Sequence, residues 1–360
     1  MSDLKDQFLQ PTFIKELGVA LEQNTKRVDA RAFANAVADA PWEKLVLMDR
    51  LRKVTDELRR VLPDDYPTAL KVLRTIARGF KGFDSLVFAD FVGRYGVEYL
   101  EESIPALQEF TEICSSEFAV RPFIQRYPKP MFKQLKLWAR SKNVHYRRLA
   151  SEGCRPRLPW SFALKELKKD PAPIFPVLEL LIKDPEDYVR RSVANNLNDI
   201  SKDHPDKVIE LVSRLQGTSK ETDWIIKHAC GTLLKRGRAD VLELFGFTPP
   251  ESVTASSIRI SPPTISIGES VSFSVKLKTK RHALGKLRVE YLVHFIKSNG
   301  KPSPKVFQVF EKEIAGSEHV IEKRHHFKNL STRKHYTGSH RIEIRVNGVV
   351  MADKSVILID

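Results

Sequence analysis

One helical segment recurs three times in this chain, and the repeat restricts the fold more than any other feature. The copies span Tyr146–Gly153, Val189–Asn196 and Ile225–Thr232, with offsets of 43 and then 36 residues. Each copy has the apolar spacing of a helix that must pack against neighbours to bury one face. Periods of this length are typical of stacked helical solenoids. We therefore predict an all-α solenoid.

The repeated helices also carry a polar face. In the second copy four apolar side chains fall within roughly 80° of one another on a helical wheel: Val189, Val193, Leu197 and Ile200. The opposite side carries Arg191, Asn195, Asn198 and Lys202. In the first copy Arg148, Glu152 and Arg155 take the equivalent outward positions. A carboxylate thus stands within a basic stripe, which is the best indication of function in the repeats.

The helical pattern continues to about residue 245 and then changes. The amphipathic stretches predicted as helices are Pro11–Gln23, Trp42–Leu62, Tyr66–Gly79, Val97–Ile113, Ser116–Tyr127, Pro130–Ser141, Val144–Cys154, Pro171–Lys183, Glu186–Ile200, Pro205–Leu215 and Asp223–Lys235. The alternating runs predicted as strands are Ser270–Leu277, Leu287–Phe295, Val306–Phe310, Arg341–Val346 and Ser355–Ile359. Period-two runs of this kind indicate an antiparallel sandwich. We predict a solenoid over residues 1–247, a polar linker over 248–257, and an immunoglobulin-like β-sandwich over 258–360.

The net charge of +15 is unevenly distributed. Lysine and arginine number 16 against 20 acids in residues 1–120, 25 against 15 in residues 121–250, and 19 against 10 in residues 251–360. The three segments therefore carry −4, +10 and +9. Two adjacent basic modules behind an acidic one indicate that the last two thirds of the chain bind a polyanion, and nucleic acid is the leading candidate.

Other compositional features narrow the class of protein. Cys114, Cys154 and Cys230 are odd in number and lie outside any CxxC pair, so neither a disulfide framework nor a zinc site is expected. The histidines concentrate in the basic end, but no carboxylate or cysteine accompanies them at ligand spacing, so we expect no metal. Neither an apolar run of about 18 residues nor an export signal is present, which predicts a cytoplasmic protein with no membrane contact.

Two stretches are the most specific in the chain, namely Arg148–Trp160 and Val189–Lys202, and Ser115–Phe123 accompanies them. These residues resemble the DNA alkylation repair glycosylases built from HEAT-like repeats, in particular the AlkC branch. The likeness extends over most of residues 4–245, and one subset of that branch carries a sandwich after the solenoid. The resemblance implies a HEAT-like solenoid, active as a monomer on duplex DNA, and located at the bacterial nucleoid while it acts.

The same resemblance implies a reaction. Cationic N-alkylated bases such as 3-methyladenine or 3-methylcytosine would be excised by hydrolysis of the N-glycosidic bond, without a cofactor and without flipping the base into a deep pocket. Such a base already leaves readily, so the remaining barrier is the positive charge that grows on the sugar. Nearby carboxylates stabilise that charge and align the water.

By the resemblance, four residues line the family's pocket: Glu117, Glu152, Asp199 and Trp160. Glu117 precedes Glu152 by 35 residues, about one repeat, so the two side chains are expected to project from neighbouring inner helices towards one point. We expect Glu117 and Glu152 to carry the chemistry and Asp199 to stabilise charge or position water. Trp160 would add a cation–π contribution.

Phosphate contacts are expected from basic and amide side chains on or beside the repeated helices, and from one loop of the sandwich. Those of the helices are Arg148, Arg155, Arg157, Arg190, Arg191, Asn195, Asn198, Lys202, Lys227, His228, Arg236 and Arg238. In the sandwich, the first inter-sheet loop supplies Lys280, Arg281 and His282. An alternative basic patch in the sandwich consists of Lys323–Lys328 with Arg333–Tyr336.

Other interpretations remain open from sequence alone. Glu152 could form an ordinary surface ion pair with Arg148, and Trp160 could fill a gap between two repeats. The whole solenoid could be a non-catalytic scaffold that binds DNA or protein, because fold does not settle function. The sandwich could bind protein or polysaccharide instead of DNA.

Overall fold

The structure is a computed structural model, and it describes residues 7–26, 28–39, 42–330 and 333–360. The chain divides into two compact units. The first comprises the residues up to His204 together with Leu215–Ala229, and the second comprises Pro205–Arg214 together with Cys230–Asp360. The residues between 229 and 247, predicted as part of the solenoid, therefore group with the sandwich.

The first unit is helical throughout its described residues. Its helices are α1 (Pro11–Asn24), α2 (Ala30–Ala38), α3 (Leu47–Val61), α4 (Tyr66–Ala77), α5 (Leu86–Tyr95), α6 (Leu100–Ile113), α7 (Val120–Arg126), α8 (Pro128–Ala139), α9 (Val144–Gly153), α10 (Lys165–Lys169), α11 (Phe175–Leu181), α12 (Asp187–Ile200) and α14 (Lys220–Ala229). Helix α13 (Pro205–Leu215) lies between α12 and α14 in the sequence and belongs mainly to the second unit. None of the helices among the described residues is long and apolar enough to cross a membrane.

The helices of the repeated motif stack in chain order. Helix α9 packs against α12, and α12 packs against α14. The four apolar side chains predicted to form the packing face of α12 are all buried. At the other side of α9, a Cβ atom added to Gly153 would come within 2.5 Å of a methyl group of Val120, so glycine permits the close approach of α9 and α7. The solenoid predicted from the repeat is confirmed.

The second unit combines short helices with a β-sandwich. Its helices are α13 (Pro205–Leu215), α15 (Gly231–Lys235) and α16 (Ala239–Leu244). Its strands are β1 (Val253–Ala255), β2 (Arg259–Ser261), β3 (Thr264–Ser266), β4 (Ser270–Thr279), β5 (Gly285–Ile296), β6 (Pro302–Ile314), β7 (Glu318–His326), β8 (Gly338–Val346) and β9 (Val349–Ile359). Strand β1 lies inside the segment predicted as a linker.

Two sheets form the sandwich and enclose one apolar core. In the first sheet β4 pairs with β1 and β2 along one edge and with β7 along the other. The second sheet has the order β3-β9-β8-β5-β6, antiparallel except for the parallel pair β3 and β9. Alternate side chains of both sheets, among them Phe273, Val289 and Ile344, point into the core. This confirms the predicted all-β module.

The two units differ from the sequence-based prediction in several elements. Helices α2, α5, α10 and α16 and strands β1, β2, β3 and β7 were not expected. The third copy of the repeat is not one helix, because α14 ends at Ala229 and α15 begins at Gly231. Helix α7 begins at Val120, four residues later than predicted, which leaves Glu117 in the turn before it.

Candidate active site

Three acidic residues from separate segments come together in the first unit. Glu117 lies in the turn between α6 and α7, Glu152 lies in the last turn of α9, and Asp199 lies in the last turn of α12. The turn is fixed where the Ser116 hydroxyl donates to the carbonyl oxygen of Leu107, at 2.7 Å. The expected meeting of acids from successive repeats is thus present in the geometry.

Arg148 joins the first two acids. Its Nη1 atom lies 2.6 Å from Oε2 of Glu117, and its Nη2 atom lies 4.0 Å from Oε1 of Glu152. The Ser115 hydroxyl also donates to Oε2 of Glu117, at 3.0 Å. The second oxygen of Glu117, Oε1, accepts no hydrogen bond from any residue that the structure describes.

Arg155 joins the second and third acids. Its Nη1 atom lies 2.6 Å from Oε1 of Glu152, and its Nε atom lies 2.9 Å from Oδ2 of Asp199. The other oxygen of Glu152 accepts a bond of 2.6 Å from the Ser192 hydroxyl, and Lys202 lies 2.9 Å from Oδ1 of Asp199. Three acids and three cations therefore alternate in one chain, which we call the charge network: Glu117, Arg148, Glu152, Arg155, Asp199 and Lys202.

The charge network is more deeply buried than the helical wheel predicted. The side chains of Glu152 and Asp199 are 7% and 3% exposed, whereas that of Glu117 is 14% exposed. The wheel placed Glu152 and Arg155 on an outward face, and this was wrong because α12 covers them. Their burial is tolerated because each charge meets an opposite one. Glu117 is the acid most accessible from outside.

The arginines of the network remain charged. Burial works against the charged form of Arg148, but Glu117 and Glu152 outweigh it, so the pKa of Arg148 is raised. For Arg155, burial is likewise outweighed by Glu152 and Asp199, and its pKa is also raised. Both guanidiniums therefore hold the carboxylates in place by charge-assisted hydrogen bonds.

Trp160 lies at the surface, in the segment that follows Arg155 of the charge network. Its side chain is 57% exposed, and its backbone adopts a left-handed conformation with φ of 62°. Its ring lies 6.4 Å from that of Phe83, whose carbonyl oxygen is 3.8 Å from the Cys114 sulfur, three residues before Glu117. A tryptophan that fills a gap between repeats would be buried, so the structure contradicts that interpretation.

Tyr188 is a further aromatic residue of the site that the sequence analysis missed. The Arg148 guanidinium lies 4.8 Å from the centre of its ring. Burial raises the pKa of its hydroxyl, as do Glu117 and Glu152, whereas Arg148 lowers it. Its ring is nevertheless partly exposed. The available signal was its place at the start of the second repeat, one turn before Ser192.

All three cysteines lie in surroundings that keep the thiol protonated. Cys154 is fully buried against α12, where its sulfur accepts from the Asn196 amide at 3.5 Å. Desolvation raises the pKa of Cys114, Cys154 and Cys230 to about 12 in each case. None of the three is therefore suited to act as a nucleophile at neutral pH.

Several of the predicted phosphate-binding residues are committed to other partners. Arg157 pairs with Asp203 through two hydrogen bonds, of 3.0 and 2.6 Å. Arg190 donates to the carbonyl oxygens of the residues that precede α12. In the second unit Arg238 pairs with Asp206 and Asp240. With Arg148, Arg155 and Lys202 in the network, half of the predicted helical set is paired with other groups of the protein and is at most about one third exposed.

The remaining predicted residues are accessible to solvent. Arg191 is exposed and paired with Asp187 four residues earlier, and Asn195 contacts the His228 ring at 2.9 Å. The accessible residues of the helical set are Arg191, Asn195, Asn198, Lys227, His228 and Arg236. In the sandwich Lys280, Arg281 and His282 are exposed in the loop that connects the two sheets. Within the described residues, no group of three potential ligands is arranged to hold a metal ion.

Comparison with known proteins identifies the class. Residues 98–234 match the family described as "DNA alkylation repair enzyme". Residues 254–360 match the family described as "Uncharacterised protein YhaZ, C-terminal Ig-like domain". These two matches, to a helical-repeat region and to the immunoglobulin-like module after it, define a DNA repair enzyme of the helical-repeat class.

Two relatives make the assignment specific. The chain is 42% identical over 351 residues to the uncharacterized protein YhaZ of Bacillus subtilis (strain 168), covering 97% of this chain and 98% of that protein. It superposes with a TM-score of 0.91 and 34% identity on the alkylpurine DNA glycosylase AlkC of Pseudomonas fluorescens bound to DNA containing an abasic site analog, covering 99% of each chain. The chain belongs to the AlkC-type DNA glycosylases with a C-terminal immunoglobulin-like domain. An enzyme, not a scaffold, is therefore confirmed.

Proposed function

We propose that this protein excises cationic N-alkylated bases, such as 3-methyladenine and 3-methylcytosine, from duplex DNA by hydrolysis of the N-glycosidic bond. The observation that carries the proposal is the charge network, in which Glu117, Glu152 and Asp199 converge from three segments. The relative AlkC, an alkylpurine DNA glycosylase, was solved with DNA containing an abasic site analog, which resembles the product of such a reaction.

Glu117 is the acid best suited to contact the substrate. It is the most exposed of the three, and its Oε1 atom has no hydrogen-bond partner among the described residues. A water held by this oxygen could attack the sugar, while the carboxylate charge stabilises the oxocarbenium-like transition state. Arg148, which is bonded to Oε2, fixes the direction of the carboxylate.

Glu152 and Asp199 act on the same charge from a greater depth. Both oxygens of Glu152 are occupied, by Arg155 and Ser192, so it has little freedom to reorient. Preorganised charges of this kind stabilise a transition state without the cost of rearrangement. We assign to Glu152 and Asp199 the electrostatic stabilisation of the sugar, and to Arg155 the task of holding the two carboxylates together.

We assign the aromatic contacts with the damaged nucleotide to Trp160 and to Tyr188, whose ring lies next to Arg148. Both rings are exposed enough to meet a nucleotide at the protein surface. An aromatic face over a cationic sugar or base contributes about 0.5–2 kcal/mol. Side chains at the surface favour a mechanism in which the damaged nucleotide stays at the groove of a bent duplex and is not inserted into a deep pocket.

The basic surfaces supply the grip on DNA. In the first unit we assign phosphate contacts to Arg191, Lys227 and His228, which are exposed, and in the sandwich we assign the groove contact to the exposed loop of Lys280 and Arg281. Contacts of this type fix position without reading sequence and make binding depend strongly on salt. We propose residues 1–247 as the glycosylase region and residues 258–360 as the accessory that binds DNA.

Base release from defined lesions tests the proposal. Duplexes that each contain a single methylated base are incubated with the wild type, Glu117→Gln and Glu152→Gln, and the freed base is measured. Removing one preorganised charge is expected to slow release by about 100-fold to 1000-fold. Glu57→Gln is the matched control, because Glu57 is a buried, ion-paired glutamate in α3, outside the network. Full activity of both site variants, or no release by the wild type from any lesion, would refute the proposal.

A further inference from the structure

Arg121 is a buried cation that the reaction described above does not use. It lies in the first turn of α7 and is completely inaccessible to solvent. Within the described residues no carboxylate lies within 4 Å of its guanidinium, and its Nε atom has no hydrogen-bond partner. A charge buried in this way costs stability, and an apolar side chain of similar size would avoid that cost.

The side-chain hydrogen bonds of Arg121 all go to main-chain carbonyl oxygens of one segment, residues 153–162. Its Nη1 atom donates to the carbonyl oxygens of Gly153 and Arg155, at 3.1 and 2.7 Å. Its Nη2 atom donates to the carbonyl oxygen of Phe162 at 2.6 Å, and its guanidinium lies 5.4 Å from the centre of the Phe162 ring. One side chain thus forms hydrogen bonds with both ends of the segment 153–162, which carries Trp160.

That segment needs external support. It contains few hydrogen bonds of its own, among them those from Ser161 to Leu158 and from Leu164 to Pro156. At its tip Trp160 adopts left-handed backbone geometry, which is unfavourable for a bulky side chain and persists only when the surroundings impose it. The planar fork of an arginine can bind carbonyls at two separate points, whereas a lysine ammonium is a single point charge.

The same contacts reach the charge network. The carbonyl oxygen that Arg121 binds at 2.7 Å belongs to Arg155, whose side chain joins Glu152 to Asp199. We propose that Arg121 is a positioning residue for base excision, which sets the Trp160 ring and the Arg155 guanidinium in register with the acids. This inference rests on the proposed function and adds to it a residue that does not touch DNA.

Burial lowers the pKa of Arg121, but the guanidinium stays protonated. Burial lowers its pKa to about 10, which keeps the guanidinium charged near neutral pH. The substitution Arg121→Lys removes the fork and keeps a long side chain that ends in a single donor group. Arg121→Gln removes the charge and retains an amide that can donate to carbonyls.

Single-turnover base release by the full-length chain, with enzyme in excess, is the first measurement. We expect Arg121→Lys to slow release by about 10-fold to 100-fold, because a small misplacement of reacting groups is costly. The affinity for intact DNA should change less than about threefold, because Arg121 is buried and cannot reach a phosphate. Arg147→Lys is the matched control: it removes another largely buried arginine fork, on Asp184, and should leave release within about twofold.

A double-mutant cycle separates positioning from a general loss of stability. If Arg121 acts through the aromatic residue, Arg121→Lys should slow release much less in a Trp160→Ala background than in the wild type. Fully additive effects, or wild-type release by Arg121→Lys, would overturn the inference.

Hydrogen exchange distinguishes failure of this inference from failure of the proposed function. In Arg121→Lys and Arg121→Gln the amides of Ser161 and Leu164, which donate to the carbonyl oxygens of Leu158 and Pro156, should exchange faster, while those of α12 keep their protection. This readout requires no lesion, so it remains decisive if the wild type releases no base. Unchanged exchange rates in both variants would show that the segment keeps its structure without Arg121, and would overturn the inference. If neither variant folds, exchange of these wild-type amides at the rate of an unstructured peptide would overturn the inference.

Discussion

Replacing Arg155 by methionine tests whether this side chain holds carboxylates or contacts phosphate. In the structure it joins Glu152 and Asp199 at 2.6 and 2.9 Å, and all three side chains are buried. Methionine leaves two buried carboxylates without the cation between them. Loss of one partner from a buried ion pair costs about 3–5 kcal/mol. Lys202 still pairs with Asp199, and the Ser192 hydroxyl still donates to Glu152. We therefore expect a loss of stability at the lower end of this range, about 3 kcal/mol.

Urea unfolding near neutral pH measures the loss of folding stability in Arg155→Met. The salt dependence of DNA binding tests the alternative role, in which Arg155 contacts a phosphate. Arg191→Met is the matched control, because Arg191 is exposed and its pair with Asp187 is worth only about 0.3–0.5 kcal/mol. Each phosphate contact adds about 0.9 to the slope of log affinity against log salt. Arg155→Met should leave that slope unchanged, whereas Arg191→Met should reduce it by about one unit. A cost below about 1 kcal/mol together with a reduced slope for Arg155→Met would refute the reasoning.

Three other predictions follow from the same structure. Replacing Lys280 and Arg281 together by alanine should lower DNA affinity and reduce the salt slope by about 2, measured by fluorescence anisotropy; an unchanged slope would remove the loop from the interface. Trp160→Ala should slow base release with little change in unfolding, because its ring is exposed, whereas Trp138→Ala, which removes a buried ring, should destabilise by about 3–5 kcal/mol. Burial lowers the pKa of His325 to about 4, so its neutral form stabilises the fold above pH 6.5, and this stability is lost as pH falls towards 4. Urea unfolding across that range should show a loss of about 3 kcal/mol that His325→Phe abolishes, and an identical pH dependence in the variant would contradict the assignment.

Helices and strands could be predicted from the sequence wherever only one of their faces is buried. Helix α12 has apolar residues along one face only, and β4 alternates, so both patterns are visible in the sequence. Helix α5 has buried residues on all sides, including Leu86, Phe88 and Phe91, and therefore lacks the amphipathic pattern. Strand β7 is mostly polar, because its outer residues face solvent, and part of it was interpreted as a basic patch.

The candidate site was predictable in its residues and less so in its geometry. The repeat spacing brought Glu117 and Glu152 together correctly, although the turn before α7, and not a helix, supplies Glu117. The roles of Arg148 and Arg155 could not be inferred, because a cation in a sequence gives no sign of whether its partner is a carboxylate of the same protein or a phosphate of another molecule. Arg121 was hidden for the same reason, since its partners are carbonyl oxygens that every residue possesses.

The protonated thiols have a consequence for the conditions in which this protein works. Methylating agents attack thiolates as well as DNA bases, because the thiolate is the nucleophilic form of cysteine. With a pKa of about 12, compared with the usual 9.0, each cysteine presents a thiolate fraction about 1000-fold smaller than normal. We therefore expect all three thiols to react slowly with agents that alkylate DNA.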